Sequence, residues 1–579
     1  MREDGRVHRA GLTLCALVAA LCGWDVGSAL AGSPPGPTLN PRTLRKFVDP
    51  LPIPAVMDAK AGGAIPFELT MSEFLQKLHA QLPPTKVWGY NGSFPGPTIE
   101  AARGVSINVK WTNSLPAVHL FQSALDTTVH GADLAAPFVR AVVHLHGGAT
   151  SPQSNGYPEA WFTPGFSATY VYTNVQQPAA LWYHDAAQGI SRLNVLAGLA
   201  GLYLVRDPLN EPAGLPAGPP YEVPLIIQDR SFNKDGSLFY PSVGDNPAIH
   251  PQWVPEFFGN TILVNGMVWP NLNVRSVQYR FRLLNGSNSR VYTLTFRLAE
   301  CRSLKLRFRQ IGTDGGYLRE PVWVSSVTLA PGERADILVD FSGLPSGTKF
   351  ILANSAPAPF PNGASPDSDT VGQVMQLRVS GYTWNPRHDL PDPLNIIPTL
   401  KATSTRTLTL NEVAGPKGPQ TLLLGGSRWT DPITEKPALG STEIWEIANL
   451  TASTHAIHLH LVQFQVLNRQ PFNKKRYLKD YNKANPVVPS PDPSVTPIVP
   501  LPLKPYLNGD ADSPPKNERG WKDTVRANPG QVTRLIVRFT PNDGTPAFPF
   551  DPTSGNYLWQ CGMLEHADNE MMRPYRLSP

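Results

Sequence analysis

Proline restricts what this chain can fold into more than any other feature. There are 62 prolines among 579 residues. Each fixes φ and removes a backbone donor, so long helices are hard to sustain and strands joined by rigid loops are favoured. The apolar pattern agrees: Val105, Ile107, Val109 and Trp111 alternate with other residues, as do Leu408 with Leu410, and Leu535, Val537 and Phe539. Strand side chains repeat every two residues, so these runs read as strands with one buried face. Asn91-Gly92, Asn265-Gly266 and Asn285-Gly286 carry the tight-turn signal that joins antiparallel strands. The expectation is an all-β, mostly antiparallel protein. Sustained helical spacing is rare, and its best candidate is Ser72 to Gln81 with Ser72 as the cap.

The chain is too long for one core. Proline-rich stretches at 207–224 and near 384–400 read as connectors. They divide the chain into units at 32–207, 218–383 and 400–579, each of roughly 150 to 190 residues, the size of a β-sandwich. A further proline-rich stretch at 486–515 falls inside the last unit and reads as an extended surface loop. Residues 1–31 have an arginine-containing start, an apolar run from Ala10 to Trp24, and Ala29-Leu30-Ala31. This predicts a secretory signal cleaved after Ala31, and so a secreted or periplasmic, envelope-located protein. The apolar run is short for a stable membrane span. A net charge of +5 spread over the whole chain does not argue for nucleic acid. Cys15 and Cys22 leave with the signal, so Cys301 and Cys561 remain: one disulfide at most, and no disulfide scaffold.

Seven of the 13 histidines fall in short clusters: His144-Leu-His146, His184, His455-Ala-Ile-His458-Leu-His460, and His566. An H-x-H pair on a strand presents both imidazoles on one face. Two such pairs at opposite ends of the chain point to a metal held between domains. Cys561, His566 and Met571 lie five residues apart near the C-terminus. Blue-copper sites use two His and one Cys with a weak axial Met, and His455 can supply the second imidazole. The alternative, a buried inert thiol beside an incidental His and Met, gains nothing from the histidine clusters.

Ordered matches run along nearly the whole chain: FVDPLPIP near 47–54, WGYNGSFPGPTIE at 88–100, VVHLHGG at 142–148, GYPEAWF at 156–162, LWYHD at 181–185, RLNVLAGLAGLYLVRD at 192–207, HAIHLHLVQFQVLNR at 455–469 and EHADNEMMRPYRL at 565–577. Together they resemble the three-domain multicopper oxidases, most closely the bacterial spore-coat laccase and bilirubin oxidase group. The resemblance implies three cupredoxin-like Greek-key β-sandwich domains. It implies type 1 copper on His455, Cys561, His566 and Met571, and type 2 copper on His144 and His458. Of six type 3 histidines expected, only His146, His184 and His460 are kept; Ala186, Gln560 and Gly562 stand at the other three positions. Asn155 and Ala567 stand where close relatives carry carboxylates for proton delivery, and neither can act as an acid or base.

Every departure falls on the oxygen-reducing half. Three readings follow. The chain is a type 1 copper protein accepting electrons from phenols, metal ions or a partner protein; or a laccase with residual oxidase activity; or a non-enzymatic envelope protein on the same fold. The five remaining histidines could hold one further copper or zinc. A monomer is expected, and Cys301, in a charged run, reads as a free or semi-buried thiol.

Overall fold

The computed structural model describes residues 38–381, 390–486 and 498–579. The predicted signal at 1–31 and part of the 486–515 stretch lie outside the described residues. Among the described residues no helix is long and apolar enough to cross a membrane.

Six sheets pair into three sandwiches. In the first, a five-stranded sheet containing Val143–His146, Ala179–Asp185 and Ala200–Arg206 faces a four-stranded sheet built on Gly63–Gln76 and Ile107–Asn113. The middle sandwich holds the two largest sheets. In the third, a five-stranded sheet faces a four-stranded one ordered Thr524–Ala527, His455–Leu459, Tyr557–Cys561 and Met572–Tyr575. Buried aliphatic and aromatic side chains of all three sandwiches join one continuous core. Most ladders are antiparallel, as the alternation predicts. Each sandwich also carries a parallel pairing at an equivalent place: Gly63–Gln76 with Ile107–Asn113, Glu222–Phe232 with Gln278–Asn285, and Ser404–Gly415 with Thr442–Asn449. The threefold repeat is therefore visible in the ladders.

Two local expectations are overturned. Residues 72–76 are not helical; they finish the Gly63–Gln76 strand, in register with Thr85–Tyr90 through Ser72↔Gly89 and Phe74↔Val87. Leu69 and Met71 are buried with Thr70 between them only half-buried, and cross-strand pairing carries this strand on through Gln76, so it overrides the local helical spacing. Asn285-Gly286 is not a tight turn either. Asn91, Gly92, Asn265 and Gly266 all have positive φ, as a type I′ turn requires, but Asn285 closes a strand and its amide donates to the carbonyls of Arg290 and Leu329.

Three α-helices are present among the described residues: α1 (Ser191–Ala197), α2 (Lys474–Ala484) and α3 (Leu564–Asp568). The described part of the 486–515 stretch packs on α2, where Leu503 and Tyr506 meet Tyr477, Tyr481, Leu450 and Val532.

Candidate metal centre

Strand pairing assembles two buried donor clusters. Val143–His146 pairs antiparallel with Ala179–Asp185, placing His144 opposite His184. His455–Leu459 pairs with Tyr557–Cys561, placing His458 opposite Gln560 and Ile457 opposite Cys561. The first and third sandwiches then bring the two H-x-H pairs face to face. The His144 ring stacks on His460 at 3.8 Å and the His146 ring on His458 at 3.5 Å.

In the first cluster, four rings are anchored through an outer nitrogen. His144 Nδ1 lies 2.7 Å from the Asn155 carbonyl, His184 Nδ1 2.8 Å from the Asp185 carbonyl, and His458 Nδ1 2.8 Å from the Asp523 carbonyl. His146 Nε2 lies 2.8 Å from Thr524 Oγ1. A carbonyl can only accept, so each of the first three rings carries its proton on Nδ1 and turns Nε2 inward. The inward nitrogens pair up: His144 Nε2 to His458 Nε2 at 3.3 Å, and His146 Nδ1 to His184 Nε2 at 3.4 Å. Two nitrogens at about 2.0–2.1 Å from one tetrahedral ion stand about 3.3–3.4 Å apart, so both spacings suit a metal. His460 Nε2 is buried without a partner, as an unfilled ligand position should be.

Asp523 sits behind this cluster, 3.3 Å from His146 Nε2 and 3.5 Å from His458 Nδ1. Burial alone would raise its pKa, but the fork of Arg334, with Nη1 2.7 Å from Oδ1, holds it well below the usual carboxylate range. Burial pushes His144, His146 and His460 well below their ordinary value, and His184 down to about 3, so all four are neutral and ligand-ready.

In the second cluster, Cys561 Sγ lies 3.8 Å from His455 Nδ1 and 3.6 Å from His566 Nδ1, with the two nitrogens 3.1 Å apart. All three side chains are buried. Met571 is buried beside them and tied to the site by its backbone: the Cys561 N–H donates to Met571 O and the Met571 N–H to His566 O. Thr451 Oγ1 lies 2.7 Å from His455 Nε2, fixing that ring from behind. Burial pushes the Cys561 thiol up to about 12 and His566 down to about 3. The imidazoles are thus ready donors, while the thiol waits for a cation to displace its proton.

His566 rides on α3, which is clamped by both other sandwiches. Asp568 accepts from the Ser191 N–H at 3.0 Å, Ser191 Oγ at 2.7 Å, the Arg192 N–H at 3.0 Å and Arg192 Nη1 at 2.9 Å. Glu565 accepts from Asn288 Nδ2 at 2.8 Å and Ser289 Oγ at 2.6 Å, and its carbonyl accepts from Trp253 Nε1 at 2.9 Å. The outer edge of His566 meets a further acid, Glu256, whose Oε1 is 4.0 Å from Nε2.

Ala186, two residues after His184, and Gln560, opposite His458 in the ladder, are both buried. At Gly562 a Cβ would stand 2.9 Å from the Pro331 carbonyl, so the backbone has closed over that position. Asn155 touches two of the histidines, through its carbonyl on His144 and its amide 3.0 Å from His460 Nδ1. Cys301 is exposed and Cys561 buried, and both are free thiols, which removes the disulfide option. The sequence reading did not find Asp523, Thr524, Arg334, Thr451, Glu256 or the α3 clamp. None carries a local motif; only Asp523-Thr524, leading into a strand of the ligand sheet, adjoins recognisable residues.

Comparison with known proteins gives a family and structural neighbours. Multicopper oxidase family models match residues 401–579, and 76–134 with 139–210. The chain is 43% identical over 553 residues to a laccase of Bacillus subtilis, covering 92% of this chain and 98% of that one. It is 38% identical over 561 residues to multicopper oxidase LPR1 of Arabidopsis thaliana, covering 92% and 93%. Among solved structures, the McoA multicopper oxidase of Aquifex aeolicus superposes with TM-score 0.70 at 24% identity, covering 93% of this chain and 100% of that one. A laccase of Pediococcus acidilactici gives 0.66 at 26%, covering 93% and 95%. With these relatives, three β-sandwiches and two buried donor clusters suited to copper, the chain belongs to the multicopper oxidase family.

Proposed function

We propose that this protein is a multicopper-oxidase homologue that keeps a type 1 copper site and uses it as a one-electron acceptor, with four-electron oxygen reduction impaired. The observation that carries this reading is the contrast between the clusters. His455, Cys561 and His566 enclose a complete donor set beside Met571, whereas Ala186, Gln560 and Gly562 replace three imidazoles around the other. Bound there, copper supplies reversible one-electron chemistry.

The protein's own groups do the rest. Thr451 orients His455, α3 holds His566, and burial keeps water from Cys561. Neither neighbour of Cys561 is an imidazole, so the covalent route from the thiolate to the histidine cluster ends at the amide of Gln560 and the bare backbone of Gly562. Losing first ligands should cost more than the roughly 10–100-fold typical of their supporting partners. The donor is a small phenol, a metal ion or a redox protein reaching the Glu256 edge of His566. The protein acts as a monomer, outside the cytoplasm or in the envelope, after removal of residues 1–31. His144 and His458 hold a second, type 2-like copper or zinc.

The histidine pairs at 3.3 and 3.4 Å favour a second reading, a laccase with residual oxidase activity. Metal count with visible and paramagnetic resonance spectra of the copper-reconstituted protein separates them. One or two coppers, an intense blue band and electrons that stop after single reduction support the first reading. A coupled copper pair with steady oxygen uptake on a phenol overturns it. Absence of any blue band removes both.

A further inference from the structure

We propose that the middle sandwich, which contributes no histidine or cysteine to either donor cluster, carries a docking surface for an anionic polysaccharide, formed by residues 297–309 together with Trp323. The strand Tyr292–Leu298 turns back into the short strand Lys305–Leu306 through a hairpin closed by Leu298 N–H to Leu304 O at 3.0 Å and Leu304 N–H to Cys301 O at 2.9 Å. Arg297 stands opposite Lys305 across that hairpin. The chain then enters the second sheet at Phe308–Thr313, where Arg309 stands opposite Trp323. Residues 297–309 therefore fold into one continuous outer edge, and five of them are cationic against the single acid Glu300. Arg302, Lys305 and Arg307 are exposed. On the neighbouring strand the acid Glu320 is already paired with Lys516 at 3.5 Å, so it does not cancel the patch.

Trp323 makes this more than a solvated basic face. Its indole is 56% exposed, and the guanidinium carbons of Arg307 and Arg309 stand 5.6 and 5.7 Å from its ring centroid. The ring orders two long side chains that would otherwise lose rotamer freedom on binding, and so lowers the entropic cost of docking. The ordered Arg307 guanidinium, with exposed Arg302 and Lys305 on the same edge, matches carboxylate or sulfate oxygens, and the remaining apolar surface of the indole suits the C–H face of a sugar ring. A nucleic acid fits less well, because sequence-tolerant binding of single strands stacks successive bases on several aromatic rings, and residues 297–309 and 319–324 present a single exposed ring, Trp323. The charge is strongly local, since the whole chain carries only +5. The surface gives the protein a way to be retained on a charged matrix while its copper chemistry proceeds in the other two sandwiches.

The test uses the full copper-loaded chain with heparin as a sulfated probe and polygalacturonate as a carboxylated one, titrated calorimetrically at increasing salt. Expected results are saturable binding to at least one probe, an affinity that falls as salt rises, and hydrogen-exchange protection at 297–309 and 319–324. The variant R302E/K305E/R307E should bind at least tenfold more weakly with an unchanged visible spectrum and melting temperature. The variant Trp323→Ala should weaken binding severalfold and leave the salt dependence in place. Equal binding by the charge-reversed variant, protection elsewhere on the molecule, or equally tight binding of a DNA oligonucleotide would overturn the proposal. The spectrum is read separately, so loss of the copper reading and loss of this one are distinguishable.

Discussion

At the scale of single residues, three positions carry the proposed difference between the two donor clusters. Ala186 and Gln560 are buried where imidazoles are expected, and Gly562 has room for no side chain without moving the Pro331 carbonyl. Restoring all three as A186H/Q560H/G562H should raise oxygen uptake with a phenolic donor by at least about tenfold, at a stability cost of about 1–3 kcal/mol for the crowding at 562. Oxygen electrode and thermal melts read the two effects. No gain in uptake would mean the cluster is limited by something other than these ligands. Thr451 offers a cleaner test of the intact cluster. Thr451→Val keeps the shape but removes the 2.7 Å contact with His455 Nε2, and copper titration should show roughly 10–100-fold weaker binding. The identities of Ala186, Gln560 and Gly562 are legible in the sequence because none of them carries an imidazole. The closure at Gly562 is not, since Pro331 is remote in the chain.

At the scale of elements, the short helix α3 shows how a ligand is aimed by distant parts. Five residues cannot form a stable helix by themselves, and α3 is held by Ser191 and Arg192 on one side and by Asn288, Ser289 and Trp253 on the other. The Arg192 and Asp568 side chains are fully buried as an ion pair. Asp568→Ala leaves Arg192 buried without its partner and should cost about 3–5 kcal/mol. It should also broaden or shift the blue band of the copper-loaded protein, because His566 lies two residues away. An unshifted spectrum in a destabilised variant would show that Cys561 and Met571 alone position that histidine. Element type itself was mostly readable from alternation. Ser72 to Gln81 reads as helical because the spacing of Phe74, Leu75 and Leu78 is a local pattern, while the strand that claims residues 72–76, Thr85–Tyr90, lies beyond that window.

At the scale of the whole molecule, buried charge networks set the acid limit of stability. Arg469 forks onto Glu518 with both contacts at 2.8 Å, and Arg526 joins at 3.3 Å. Burial alone would raise the Glu518 pKa, but Arg526 and Arg469 bring it down to about 2 from the ordinary 4.5. A carboxyl depressed by folding stabilises above its unfolded pKa, and that contribution disappears as pH falls through the folded one. Glu518 should therefore contribute on the order of 3 kcal/mol at neutral pH, lost between about pH 4.5 and 2. In denaturant titrations, Glu518→Gln should be less stable than the parent at pH 7, with the difference shrinking towards pH 2. A pH-independent difference would assign the effect to packing. The sequence by itself determined the β character and which donor atoms stand in the two clusters, with Ala186, Gln560 and Gly562 offering no imidazole, because strand periodicity and donor atoms belong to residues and their near neighbours. Only the tertiary structure decided which nitrogens face inward, that Asp523 and Arg334 back the cluster, and that α3 is clamped from the other two sandwiches. Those depend on partners such as Ser191 and Asp568, which lie 377 residues apart, and no local pattern encodes a contact at that range.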